Sequence, residues 1–268
     1  MELTELRRQW TSRFQPDIQA RIWDRAAPEY EERPLPDWEE DPFLALLRRR
    51  GALGPSVSAL DIGCGAGGYS LALAPHVGAA VGCDLSARMV EGATRRAAGL
   101  GLSNARFHQI DWHAFDPAER GWERAFDVVF AHMTPAVSDY DTLEKMVRCA
   151  KGACFLQKNT RRRDAVLDAA LALVGIQGPQ AGRDDVDKCF TYLWLKGYEP
   201  HLDYRQEVWR SQRSTASMAG WCVDRARLRR DITAQEEERI RDFVAASAVE
   251  GVVRETVTTT VVTMDWAV

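Results

Sequence analysis

Residues 59–73 read ALDIGCGAGGYSLAL, with an acid, Asp61, two positions ahead of a cluster of glycines. Gly63, Gly65 and Gly68 fit G-x-G-x-x-G, the pattern of dinucleotide phosphate loops, while Gly63, Gly65 and Gly67 fit the looser G-x-G-x-G. A glycine loop opening a helix lets a ligand approach bare backbone, and the helix N-terminus favours a carboxylate or phosphate. Beside a pyrophosphate, the added carboxylate of Asp61 is repulsive. It suits a ligand that also carries positive charge.

Outward from this loop, short β-branched or apolar runs alternate with helix-length periodic segments. Strands are expected at Val57–Ile62, Ala79–Asp84, Ala105–Ile110, Phe126–Ala131 and Ala153–Gln157, with helices near Gly68–Val77, Ala87–Ala98, Asp139–Ala150 and Asp164–Val174. Ser138 reads as an N-cap before the acids Asp139 and Asp141. The β-branched run VVRETVTTTVVTMDW at 252–266 reads as a strong late strand. The fold class expected is α/β: a doubly wound, mostly parallel seven-stranded sheet with helices on both faces. Residues 1–50, broken by the acidic stretch APEYEERPLPDWEEDP, are expected to form an N-terminal helical cap, and residues 51–268 one Rossmann-like domain. A charged helical insertion at about 214–250 interrupts that domain before its last strand.

The chain has 268 residues and a formal net charge of −4, which disfavours a nucleic-acid surface covering a whole face. No signal peptide is visible, and the apolar runs are shorter than the ~20 residues needed to cross a bilayer. Cysteines 64, 83, 149, 154, 189 and 222 lack C-x-x-C or Cys/His spacing, so no metal site is expected. They read as reduced, buried thiols of a cytoplasmic protein, the sharper alternative being a thiol ligand for a soft metalloid substrate.

In a doubly wound sheet, ligands bind beyond the carboxyl ends of the strands. Asp61 stands at the first of those ends. Asp84, about 20 residues beyond the loop, is placed to accept from two ribose hydroxyls. Asp111 and Trp112 follow the third strand, an acceptor for an exocyclic amine beside a ring that could cover adenine. Acids at three successive strand ends indicate an adenosine-type ligand. Asp84 fits NAD and S-adenosylmethionine equally, whereas Asp61 favours the second, with its ammonium and sulfonium.

Together LDIGCGAGGYSLALA, VGCDLSARMVEGA, ARFHQIDWHAFD and FDVVFAHMTPAV resemble, in order and spacing, the class I S-adenosylmethionine-dependent methyltransferases of small-molecule type. The resemblance covers roughly residues 20–160. It implies that S-adenosyl-L-methionine is the cofactor and S-adenosyl-L-homocysteine its product. Asp61, Gly63, Gly65 and Gly67 would then line the methionine end, Asp84 the ribose, and Asp111 with Trp112 the adenine, with Cys64, Leu85, Met89 and Ala131 also among the cofactor-binding residues. WDRAAPEY resembles the helical cap of such enzymes, in which Trp23 and Tyr30 close over the cofactor.

AHMTPAV, at the end of the fourth strand, lacks the N/D-P-P-Y/F signature of amino-methylating nucleic-acid enzymes. His132 is the candidate base for an acceptor proton, against a purely scaffolding role, and Tyr140 is a second candidate for the same pocket. KNTRRRD places Lys158 and Arg161 to Arg163 at the start of a helix, where cations oppose the dipole. That turn is either solvated or meets an anionic substrate. The expected function is methyl transfer to a small molecule, with no membrane partner and no nucleic acid. An RNA methyltransferase of the same fold and a non-catalytic S-adenosylmethionine-binding protein remain open alternatives, with a nicotinamide oxidoreductase more distant.

Overall fold

The computed structural model describes residues 2–177 and 185–268. Helices α1 (Leu3–Gln9), α2 (Pro16–Glu32) and α3 (Pro42–Arg49) precede the first strand. Then follow β1 (Gly54–Ile62), α4 (Gly68–Leu73), β2 (Val77–Asp84), α5 (Ala87–Gly99), β3 (Ala105–Gln109), β4 (Phe126–His132), α6 (Tyr140–Cys149) and β5 (Ala150–Asp164). The remainder is α7 (Ala165–Ala172), α8 (Val186–Leu195), β6 (His201–Ser214), α9 (Thr215–Arg227), α10 (Ala234–Ala246) and β7 (Val252–Ala267). All nine strands and helices expected between residues 57 and 174 are present, with shifted ends.

The sheet order is β3-β2-β1-β4-β5-β7-β6. β1 pairs in parallel with both β2 and β4, so chain order reverses there and the carboxyl ends of β1, β2 and β4 open a crevice. The mixed α/β, seven-stranded Rossmann-like architecture is the one expected from the sequence.

The chain divides into two compact units. The first comprises residues 1–158, 187–203 and 263–268; the second comprises 159–186 and 204–262. Within the first, Phe43, Leu44 and Leu47 of α3 are almost fully buried against Ala59 of β1, Val128 and Phe130 of β4 and Phe155 of β5. Each such side chain contributes about 1.5–3 kcal/mol on burial. Asp41 caps α3, accepting from the backbone N–H groups of Phe43 and Leu44 at 2.9 Å, which fixes where the helix begins.

The second unit has a core of its own. Leu167 and Leu171 of α7, Met218 and Cys222 of α9, Ile240 and Val244 of α10 and Val253 of β7 bury one another. Helices α9 and α10 are each opened by a hydroxyl cap, Ser214 and Thr233.

Two expectations are overturned here. The N-cap of α6 is Asp139, whose side chain accepts from the Thr142 N–H at 2.9 Å, and not Ser138. Lys158 and Arg161 to Arg163 do not open a helix: β5 runs through them to Asp164, whose side chain caps α7 by accepting from the Leu167 N–H at 3.1 Å. The arginines lie on the strand ahead of the cap, and Arg162 pairs with the capping Asp164 at 2.9 Å. Lys158 donates to the Val137 carbonyl at 2.7 Å.

Candidate functional site

β1 delivers Asp61 and the glycine loop to the crevice. Gly63, Gly65 and Gly67 all have positive φ, 70°, 54° and 77°, a region that L side chains avoid. A Cβ on Gly63 would lie 2.0 Å from Thr134 Oγ1, so the loop after β4 rests directly on the loop after β1. At Gly65 an added Cβ would meet only ordinary contacts, Tyr30 at 3.7 Å and Met89 at 3.9 Å. The backbone there is bare, with a ring and a thioether as its neighbours.

Asp61 is buried, and its carboxylate accepts from the Ser70 hydroxyl at 2.7 Å. Burial pushes its pKa up to about 7; the Ser70 hydrogen bond opposes this and the charge of Asp84 adds to it. Cys64 is also buried, its thiol directed to the Gly65 carbonyl and raised well above its ordinary value by desolvation.

Asp84, at the end of β2, ties the two loops together. One oxygen accepts from the Gly65 N–H and the other from the Ser86 N–H, both at 2.9 Å. Each oxygen keeps a second lone pair for a ligand hydroxyl. Desolvation raises its pKa, and the backbone donors of Ser86 and Gly65 oppose that rise. Leu85 follows half-buried, and Met89 is buried one turn into α5.

The cap is fastened to this cradle. Asp24 of α2 accepts from the Ser86 hydroxyl at 2.5 Å. Arg96 of α5 donates to the Ala66 carbonyl at 2.9 Å and to the Arg33 carbonyl at 2.8 Å, joining loop and cap in one side chain. Trp23 and Tyr30 meet edge to face at 6.1 Å and pack around Ala66 and Met89. The structure thus brings Trp23, Tyr30, Asp61, Gly63, Cys64, Gly65, Gly67, Asp84 and Met89 around one loop.

The third strand end is divided. Asp111 accepts from the His113 N–H at 2.9 Å through one oxygen, and no hydrogen bond or ion pair engages the other among the described residues. Trp112 is buried, donates its indole N–H to the Thr142 carbonyl at 3.1 Å and lies 5.7 Å from Phe115. Its place is in the wall beneath α6. Ala131 is fully buried within β4, behind the crevice.

His132 lies with its ring 3.8 Å from Tyr69 and 4.8 Å from Phe43. Gln157 donates to His132 Nε2 at 2.6 Å and accepts from Thr263 at 2.8 Å, so the imidazole is fixed by a relay across three strands. Tyr140 does not join it. Its neighbours are Tyr192, at 5.0 Å edge to face, and the Arg7 guanidinium, and burial raises its pKa.

Sequence reasoning missed several residues. Thr134 sits against the glycine loop, and the preceding Met133 has φ 53°, a left-handed backbone of the kind that clusters at ligand sites. His113 stacks on Phe14 at 3.7 Å, with Asp139 and Ser138 facing its two ring nitrogens at 3.7 and 3.4 Å. Its pKa is lowered, chiefly by burial and against the charge of Asp139. The His-Ala-Phe at 113–115 gave no local signal of that pairing.

Residues 53–168 match a family model described as a methyltransferase domain. A curated relative, the 23S rRNA (uracil(1939)-C(5))-methyltransferase RlmD of Colwellia psychrerythraea, is 33% identical over 95 residues, covering 29% of this chain. The match spans only 20% of that relative's length. Among solved structures, one from work on the conversion of a disulfide bond into a thioacetal group during echinomycin biosynthesis has a TM-score of 0.51 at 19% identity, covering 93% of this chain and 92% of that one. The [4+2]-cyclase SpnF has a TM-score of 0.51 at 16% identity, covering 91% and 94%. At such identities the likeness is one of fold.

Proposed function

We take as premise that residues 53–168 form a class I, Rossmann-like methyltransferase domain served by S-adenosylmethionine, and we propose that the chain transfers the methyl group to a small-molecule acceptor. The observation that carries this reading is the cap fastened over the loop, with Tyr30 at Gly65 and Asp24 on Ser86. A cofactor cradle covered by the protein's own helix favours a small acceptor over a macromolecular one.

The residues present fit the cofactor. Asp84 has lone pairs for two ribose hydroxyls, Asp111 has an oxygen for an exocyclic amine, and the Gly63–Gly67 loop with Asp61 offers both backbone donors and negative charge. The bound cofactor supplies a methyl group already activated on its sulfonium. What remains for the protein is to hold the acceptor atom in line, within about 3–3.5 Å, and to accept its proton. His132 is the candidate for that proton. Its Nε2 lone pair is held by Gln157, so general-base action requires the Gln157 amide to release it. Among the described residues no helix is long and apolar enough to cross a membrane, and six buried thiols accord with a cytoplasmic setting.

The test is a thermal-shift titration with S-adenosylmethionine, S-adenosylhomocysteine and NAD, followed by methyl-label transfer to hydroxyl, amine and thiol compounds and to total RNA. Stabilisation by the two sulfur compounds alone, about 2.7 kcal/mol at 100 times Kd, and label in a small molecule support the proposal. Label confined to RNA would instead support the RNA reading that the partial RlmD match raises. Cofactor binding without turnover on any acceptor would leave a sensor or partner subunit.

A further inference from the structure

The second unit carries three strand segments, 159–164 of β5, 204–214 of β6 and 252–262 of β7. Their side chains alternate in burial. On β7, Arg254, Thr256 and Thr258 are exposed while Val253, Glu255 and Val257 are buried. On β6, residues 204, 206, 208, 210 and 212 are exposed, and on β5 the same holds for 161 and 163.

This alternation sorts the charges. Each acid of these segments has an arginine partner on the inward face: Glu255 with Arg213 at 2.8 Å, Asp164 with Arg162 at 2.9 Å, and Glu207 with Arg205. The outward face has Arg161, Arg163, Arg210 and Arg254 and no carboxylate. None of the four has an ion-pair partner among the described residues. Arg161 also has φ 51°, a left-handed backbone that a residue with a side chain rarely adopts.

Between and beside the arginines lie neutral donors, Thr256 and Thr258, and two exposed apolar side chains, Val208 at 49% and Tyr204 at 61% exposure. Contacts that cross the strands keep the arginines near one another: Ser211 and Arg213 both reach Glu255, and Thr259 donates to the Thr160 carbonyl.

We propose that this face is a docking surface for an acidic protein. Four uncompensated guanidiniums call for an anionic partner. Two observations favour a protein over a nucleic acid. The face has arginine and an exposed tyrosine and no lysine, the balance of residue types found at protein interfaces. It offers one exposed aromatic ring where single-strand binders present a series for stacking.

The probe is a fluorescent glutamate peptide of about twenty residues, titrated by anisotropy at low salt, where the Debye length of ~30 Å favours surface charges. It is compared with an oligouridylate of equal length. The variant R161A/R163A/R210A/R254A is set against R8A/R49A/R106A/R239A, which removes the same charge from other exposed positions. The expected result is peptide binding lost roughly tenfold in the face variant and kept within about twofold in the control. Equal losses in both variants, no loss in either, or no binding by the unmodified protein would overturn the proposal. So would oligouridylate binding through the same four arginines more than about tenfold tighter than the peptide, which would make the face a nucleic-acid one. All eight positions are exposed, and circular dichroism melts of the variants confirm their folding.

Discussion

Gly63 and Thr134 touch across the ends of β1 and β4, with no room between them for a single methyl group. A Cβ at Gly63 would lie 2.0 Å from Thr134 Oγ1 and 2.6 Å from Thr134 Cβ, at a φ of 70°. Gly63→Ala is therefore expected to destabilise the protein by about 1–3 kcal/mol and to abolish measurable cofactor binding. Because Thr134 Cβ itself clashes, Thr134→Ala does not rescue the variant and Thr134→Gly relieves the contact. Thermal melts and calorimetric titration of the double variants check this.

Asp61 makes both stability and cofactor affinity depend on pH. Its folded pKa of about 7 lies above the ordinary 3.8, so the native state binds the extra proton between those values. Stability from this group therefore falls as pH rises from about 4 to 7, and Asp61→Asn removes that slope. A cationic ligand favours the carboxylate, so S-adenosylmethionine affinity should weaken as pH falls below 7, by up to about tenfold per unit. Titrations in buffers of different ionisation enthalpy should show proton release on binding at pH 6. Affinity flat from pH 5 to 8 would refute this assignment of Asp61.

The His132–Gln157–Thr263 relay predicts coupled losses. Gln157→Leu strands the Thr263 hydroxyl and the imidazole nitrogen, at a cost of about 1–3 kcal/mol. His132→Ala removes one of the same partners, so the double variant should cost less than the sum by about 0.5–2 kcal/mol in urea unfolding. Additive losses would show the hydrogen bond to be weak in solution.

Trp112 provides a test of wall against lid. Its indole N–H is spent on Thr142, so Trp112→Phe should lose about 1 kcal/mol of stability and leave S-adenosylmethionine affinity within about twofold. A tenfold loss of affinity without destabilisation would return the ring to the adenine.

The crevice was legible because its signals are local. Asp61 and Asp84 stand at the ends of apolar strands, Asp111 just after a third, and the glycines punctuate the first turn, so the strand ends were marked by adjacent residues. Thr134 on Gly63, Gln157 on His132 and Phe14 on His113 join residues far apart in the chain, and no spacing announces such pairs. The misplacement of Arg161 to Arg163 has a related cause. Arginines have little strand preference, and Asp164 with the apolar face after it reads as a helix start, whereas contacts such as Thr259 on Thr160 come from a strand about 100 residues later.

Residues 263–268 belong to the unit that begins at the other end of the chain. Thr263 completes the Gln157 relay, Asp265 pairs with Arg50, and the Val268 N–H donates to the Gly152 carbonyl. During synthesis, which proceeds from the N-terminus, the crevice strands emerge early but wait for these residues until the whole second unit has been made. The second unit waits for the same strand, since β7 also supplies Val253 to its core.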